Sequence, residues 1–177
     1  MRVIAGELGG RRLLTARGDA TRPTAERVRE ALFSMLGELD GAVVLDLFAG
    51  SGALGIEALS RGAARATFVE RAPRALAALR ANIAALSLGE RARVLGGDAL
   101  AALRGHDKYD LVFLDPPYAM AAGLAGALSR DLPDVLTAGA LVVSESDRRA
   151  LLALSLPLRR ERRYGDTMIR IHEMRAL

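Results

Sequence analysis

Short runs of branched apolar residues alternate with longer stretches of helix-forming composition along most of this chain. Residues 43–47, 66–70, 92–95, 110–114 and 141–145 are apolar without strict polar alternation, as expected of strands covered on both faces. Between them, 55–61, 73–86 and 119–136 have helical composition, with Leu76, Leu79, Arg80 and Ile83 at helical spacing. This succession predicts an α/β fold, a parallel sheet with helices on both faces. Gly165-Asp166, between 160–164 and 167–173, predicts a terminal antiparallel hairpin. Ahead of the first strand, 24–36 places Val28, Ala31, Leu32, Met35 and Leu36 on one helical face, entered after Pro23 and closed by Gly37. Residues 1–22 carry little helical pattern, and Val3-Ile4 is placed to pair with Leu13-Leu14 as a small hairpin.

The length of 177 residues fits one domain, and no repeat, low-complexity tract or linker composition divides it. Cysteine is absent, which removes disulfides, thiolate zinc sites, iron–sulfur clusters and cysteine nucleophiles. The longest apolar run, residues 119–128, falls far short of the about 20 residues of a membrane span, so a soluble, cytoplasmic protein is expected. The net charge of +4 is unevenly spread: seven basic and four acidic groups in residues 1–30, ten and fourteen in 31–147, eight and three in 148–177. An acidic middle between basic ends fits a catalytic body with arms that meet a polyanion. The plain alternative is compositional bias, since 24 of the 25 basic residues are Arg.

Each expected parallel strand ends at or just before a carboxylate: Asp46, Glu70, Asp98, Asp115 and Glu145. In an open α/β sheet the ligand crevice lies outside the carboxyl ends of the strands, so these acids should converge on one edge. Taken singly, each could be a helix cap or a solvated loop residue. The first follows an apolar strand and opens a glycine motif, Gly50-Ser-Gly52-Ala-Leu-Gly55, that satisfies the dinucleotide fingerprint, with Glu70 eighteen residues after Gly52 to grip ribose hydroxyls. Nicotinamide and S-adenosylmethionine therefore compete. Asp46, four residues before Gly50, would repel a pyrophosphate but suits the ammonium and sulfonium of S-adenosylmethionine.

Asp115-Pro116-Pro117-Tyr118 strengthens the second option. Two prolines fix the backbone and remove donors, which leaves the Asp115 carboxylate and the Pro116 carbonyl as acceptors beside an aromatic ring. That set suits a planar NH2 group. The nitrogen of a nucleobase amine is a poor nucleophile because its lone pair is delocalised into the ring. Acceptors that hold its hydrogens out of the preferred plane localise the pair, Asp115 stabilises the positive charge that develops, and alignment does most of the rest. Tyr118 would stack on an extruded base.

With these residues in place, the chain resembles the class I S-adenosylmethionine-dependent methyltransferases, and more narrowly the bacterial family that methylates the 2-amino group of a guanine in small-subunit ribosomal RNA. The resemblance runs through residues 45–62 and includes Arg2-Val-Ile-Ala-Gly6, Gly10-Arg-Arg-Leu13, Arg22-Pro-Thr24, Arg29-Glu-Ala-Leu-Phe33 and Arg163-Tyr-Gly-Asp166. It implies a Rossmann-like core with a central seven-stranded, mostly parallel sheet, in one methyltransferase domain: an extension of residues 1–37 and a catalytic core of 38–177. Asp46, Gly50 and Gly52 would surround the methionine part of the cofactor S-adenosyl-L-methionine, Glu70 its ribose, and Asp98 with the Ala99 amide its adenine. Asp115, Pro116 and Tyr118 would hold the guanine, with Pro117, Arg22 and Thr24 on the substrate side and Arg11 and Arg12 on RNA. No metal is assigned. One departure is Ala5, where the family more often has glycine.

The partner implied is small-subunit ribosomal RNA, free or in a 30S-type particle, met by a monomer. A chain this small has little room to read sequence alone, which favours the particle. Arg2, Arg11, Arg12, Arg17 and Arg22 at one end and Arg159, Arg160, Arg162 and Arg163 at the other would border the catalytic edge. Other readings predict other features. A nicotinamide dehydrogenase needs an acid or base beside the hydride site, whereas His106 and His172 read as structural. An RNA-binding module needs a stacking platform, and seven aromatics mostly in apolar runs do not make one. Methylation of DNA adenine or of protein glutamine stays open, since both use a similar proline-proline-aromatic cluster; the family-like N-terminus, with no separate target-recognition domain expected, argues against DNA.

Overall fold

Alternate residues of the central strands supply apolar side chains to both faces of the sheet. In the computed structural model, which describes residues 1–15 and 23–175, the parallel strands are β1 (Val43–Asp46), β2 (Arg65–Glu70), β3 (Ala92–Gly96), β4 (Tyr109–Leu114) and β5 (Leu136–Asp147). The hairpin of β6 (Leu158–Tyr164) and β7 (Thr167–Glu173) completes a seven-stranded sheet in the order β3-β2-β1-β4-β5-β7-β6, with β7 antiparallel to both neighbours. Gly165, at φ 63, supplies the left-handed backbone of the expected turn. Val44, Phe68, Leu111 and Phe113 join one core with α1 (Pro23–Leu36), α2 (Ala53–Ser60) and α3 (Pro73–Ala85). Leu45, Val69, Val112 and Leu114 join a second core with α4 (Ala99–Ala102), α5 (Tyr118–Asp131) and a 3-10 turn, Leu132–Val135.

Two expected boundaries move by five residues, the others by two at most. The helix read over 119–136 stops at Asp131, because Pro133 offers no amide to an α-helical ladder and restricts the residue before it. The strand read over 141–145 runs from Leu136 to Asp147. Its first residues, Leu-Thr-Ala-Gly, have no branched apolar run; pairing with β4 across a register shift between Tyr109 and Leu111 makes them a strand. The four-residue α4 is too short to show a period, and Asp98 at its N-cap is its only sequence mark.

The N-terminal hairpin forms in another register than expected, with Arg2 opposite Arg12 and Val3 N donating to Arg11 O at 2.9 Å, so that Val3 faces Arg11 rather than Leu13-Leu14. Gly10 N to Val3 O and Leu13 N to Met1 O, both 2.9 Å, complete its backbone bonds, and side chains of the core fasten it to the domain. Buried Glu57 accepts from Ile4 N (2.7 Å), Ala5 N (3.1 Å) and Arg61 Nε (2.7 Å). Asn82 clasps Leu14 by accepting from its amide (2.7 Å) and donating to its carbonyl (2.9 Å), and donates also to Ser51 O (2.9 Å) in the glycine loop. Every one of these groups is thereby satisfied on burial, which is the condition for a polar anchor to stabilise rather than weaken the fold.

Candidate active site

The carboxyl ends of the parallel strands open onto a cavity of about 600 Å³. Asp46, Gly50, Glu70, Asp98, Ala99, Asp115, Pro116 and Pro117 line it together, so the acids at four strand ends and the two motifs meet as expected. Gly50 at φ 55 turns the backbone beneath the cavity, and a Cβ built there would meet nothing within 4 Å. Gly52 does not line the cavity. It shapes the loop from behind, at φ 89 with Leu79 Cδ1 only 2.5 Å from where a Cβ would stand. Gly55 lets α2 close on the sheet, since its Cβ would lie 2.3 Å from the ring of Phe68.

Each acid also has work inside the fold. Glu70 accepts from Gly50 N through Oε2 (2.8 Å) and from Ala72 N through Oε1 (2.6 Å), which pins the glycine loop and the start of α3. A carboxylate offers about four acceptor sites, so two remain for a diol. Asp98 caps α4, its Oδ1 accepting from Leu100 N (2.9 Å) and Ala101 N (3.1 Å). Asp46 is only 1% exposed, and its Oδ2 accepts from Gly55 N at 3.1 Å while buried Oδ1 has no partner among the described residues. Burial pushes this carboxyl up to about 7, opposed by the Gly55 amide and, more weakly, by that of Phe48, and reinforced by the charge of Glu70.

Partly buried Asp115 is raised well above the ordinary carboxylate range, first by burial and then by the charges of Glu145 and Asp46. Burial raises Glu145 as well. Glu145 does not line the cavity, but it stands beside Asp115 because Leu114 and Ser144 are paired in the register of β4 and β5. Three carboxylates held above their usual range at one strand edge form a site that a cation would stabilise. Pro117 O accepts from Met120 N (2.8 Å) to start α5, and among the described residues no backbone amide donates to Pro116 O. The pattern reading missed the apolar walls, Phe48, Met120 and Leu124; the last two stand four apart on α5, a spacing that puts both on one side of the helix.

Not every expected residue arrives. Arg17 and Arg22 lie outside the described residues, as do the side chains of Thr24 and Tyr118, whose backbones begin α1 and α5. Arg11 and Arg12 do not line the cavity, and Arg11 Nη2 donates to Ala85 O (3.2 Å) at the end of α3, on the far side of the sheet from the strand ends. Arg159 pairs with Glu173 at 3.8 Å near the start of β6, also away from that edge. His172 is buried with Nδ1 2.9 Å from Leu156 O and held below its usual range chiefly by burial, a structural histidine as expected.

A dinucleotide-binding doubly wound sheet has strand order 3-2-1-4-5-6. Here an antiparallel β7 is inserted between β5 and β6, and β1 itself ends in the buried carboxyl of Asp46, which lines the cavity beside the glycine loop where a pyrophosphate would have to lie. The fold and the site define a class I methyltransferase that uses S-adenosylmethionine. The unpartnered Asp46 oxygen, the open space over Gly50 and the spare acceptors of Glu70 fit that cationic, ribose-bearing cofactor.

A family model described as conserved hypothetical protein 95 matches residues 1–173, and the chain belongs to that family, the ribosomal RNA small subunit methyltransferase D type. A Bacillus subtilis protein provisionally named as the rRNA methyltransferase YlbH is 39% identical over 99% of this chain and 100% of its own length. Ribosomal RNA small subunit methyltransferase D of Escherichia coli is 43% identical over 67% of this chain, a match that spans 60% of that protein. The solved structure of yhhF from Escherichia coli, provisionally named a methyltransferase, superposes with a TM-score of 0.86 at 37% identity, covering 100% of this chain and 99% of that one.

Proposed function

We propose that this chain methylates the exocyclic 2-amino group of a guanine in small-subunit ribosomal RNA, on an assembled or partly assembled particle. It acts as a cytoplasmic monomer in which residues 1–37 extend a catalytic domain of 38–177. The observation that carries the chemistry is the Asp115-Pro116 acceptor pair on the wall of the same cavity as Asp46 and Glu70. The names of the relatives support ribosomal RNA as the substrate.

In this reading Asp46 and the Gly50 turn hold the charged methionine end of the cofactor, Glu70 its ribose hydroxyls, and Asp98 with the Ala99 amide its adenine. When bound, the cofactor supplies an electrophilic methyl group. Asp115 and the Pro116 carbonyl accept the two N–H bonds of the guanine amine and turn its lone pair out of conjugation. The carboxylate then lies against the positive charge that develops on nitrogen and is the acceptor for its proton, a role that its raised proton affinity suits. Tyr118 stacks on the extruded base, Pro117 shapes the rim, and Arg22 and Thr24 border the substrate beside it. Arg11 and Arg12 remain exposed cations for RNA reaching the far side.

The test is nucleoside mass mapping of small-subunit ribosomal RNA from a strain lacking the gene and from the complemented strain. Loss of N2-methylguanosine at one position, restored on complementation, is expected. An unchanged profile, or loss of a methylated adenosine instead, overturns the reading.

A further inference from the structure

The strand register carries the cavity's edge out to the border of the sheet. Leu114 pairs with Ser144, Glu145 with Ile169, and Ile169 with Arg162, so Asp115, Glu145, Ile169 and Arg162 occupy one row across β4, β5, β7 and β6. Three interstrand steps of about 4.8 Å put the Arg162 backbone about 14 Å from that of Asp115, on the same edge. Arg163 lies one residue further out. Arg149 projects from the tight turn that ends β5, where Arg149 N donates to Asp147 Oδ1 at 2.8 Å. All three arginines are exposed.

The acids nearby are engaged elsewhere. Asp166 pairs with Arg148 (2.8 Å) and Glu161 with Arg170 (2.5 Å). Arg162 Nη1 donates to Glu161 O (2.9 Å) and Arg163 Nε to Gly165 O (2.7 Å), so among the described residues no carboxylate neutralises Arg149, Arg162 or Arg163. A polyanion would be repelled by Asp46, Asp115 and Glu145 unless cations stood close by on the same edge. Phosphate contacts of this kind set position and register while the pocket reads the base.

We propose that Arg149, Arg162 and Arg163 form a phosphate-gripping ledge that holds the RNA backbone a few nucleotides from the base seated at Asp115. The proposal rests on the RNA reading above and adds which cations serve it. Charged residues on an edge strand also guard against edge-to-edge pairing, and that role alone would make their position relative to the pocket irrelevant.

The experiment compares two triple variants, Arg149→Ala/Arg162→Ala/Arg163→Ala and a control of equal charge, Arg65→Ala/Arg104→Ala/Arg159→Ala, whose positions precede β2, β4 and β6 or begin them at the opposite edge. Binding to small-subunit particles from a strain lacking the gene is measured across a salt series, with S-adenosylmethionine affinity as the check on folding. The ledge variant should lose about tenfold or more in particle affinity at low salt and about 2 to 3 in the slope of log K against log salt. The control should stay near wild type, and lysine at the three ledge positions should recover most of the slope. Equal losses in both variants, a ledge line superimposed on wild type, or no recovery with lysine each overturn the ledge while wild-type methylation of the particle leaves the RNA reading standing. A wild type that neither binds nor methylates the particle removes both.

Discussion

Replacing Asp46 by Asn should stabilise the cofactor-free protein above neutral pH and weaken its hold on the cofactor. The carboxyl is raised from 3.8 to about 7, mainly by burial. At about 1.4 kcal/mol for each tenfold change in proton affinity, keeping it ionised at pH 8 costs about 4 kcal/mol of folding stability. Between about pH 4 and pH 7 the folded protein holds a proton that the unfolded chain has released, so stability falls as pH rises through that window and levels off above it. Asn keeps an oxygen for the Gly55 amide but introduces an NH2 at the unpartnered position, a cost of about 1 to 3 kcal/mol that does not vary with pH. Urea unfolding followed by circular dichroism at pH 4.5 and pH 8 separates the two effects. The decline between these pH values should shrink by about 3 kcal/mol in the variant, and relief of Asp115 from its repulsion by Asp46 acts in the same direction. Parallel stability curves for the two proteins would refute the argument. Calorimetry should find cofactor binding weakened about tenfold or more, since the variant lacks the charge that faces a cation.

Other consequences follow from single contacts. Glu70→Ala should weaken S-adenosylmethionine binding by about 1.5 to 3 kcal/mol, the worth of a hydrogen bond to a charged group, because it loses the ribose acceptor and also releases Gly50 N; titration calorimetry checks it. Gly55→Ala should cost about 1 to 3 kcal/mol in urea unfolding, as its Cβ meets the buried Phe68 ring, while Gly97→Ala, with nothing within 4 Å, should cost little. Methyl transfer should fail as pH falls through the raised range of Asp115, because the protonated acid no longer accepts from the amine; a pH–rate profile whose acid limb lies near pH 4 would contradict this.

Much of this architecture is legible in the sequence, and what is not has physical causes. The central strands announce themselves because burial on both faces demands unbroken apolar runs, and the hairpin does so through Gly165-Asp166. Leu136 to Ala140 has no such pattern, as tertiary pairing with β4 makes it a strand. The glycine motif leaves two cofactors open, and the antiparallel insertion of β7, a relation between distant segments, separates them. That Asp46, Glu70, Asp98 and Asp115 converge follows from strand ends alone. That Glu70 pins Gly50 while Asp46 keeps one oxygen unpartnered depends on side-chain geometry that spacing cannot carry. Charge counting treats the arginines of both ends alike, whereas the strand register brings Arg162 level with Asp115 and the hairpin turns Arg11 toward the end of α3.

The central claim is that Asp115 acts on the amine and Asp46 and Glu70 on the cofactor. Single-turnover methyl transfer to small-subunit particles, measured for wild type and Asp115→Ala together with S-adenosylmethionine affinity, tests it most directly. Asp115→Ala should abolish transfer while cofactor affinity stays close to wild type. Transfer by Asp115→Ala at near wild-type rates would contradict it.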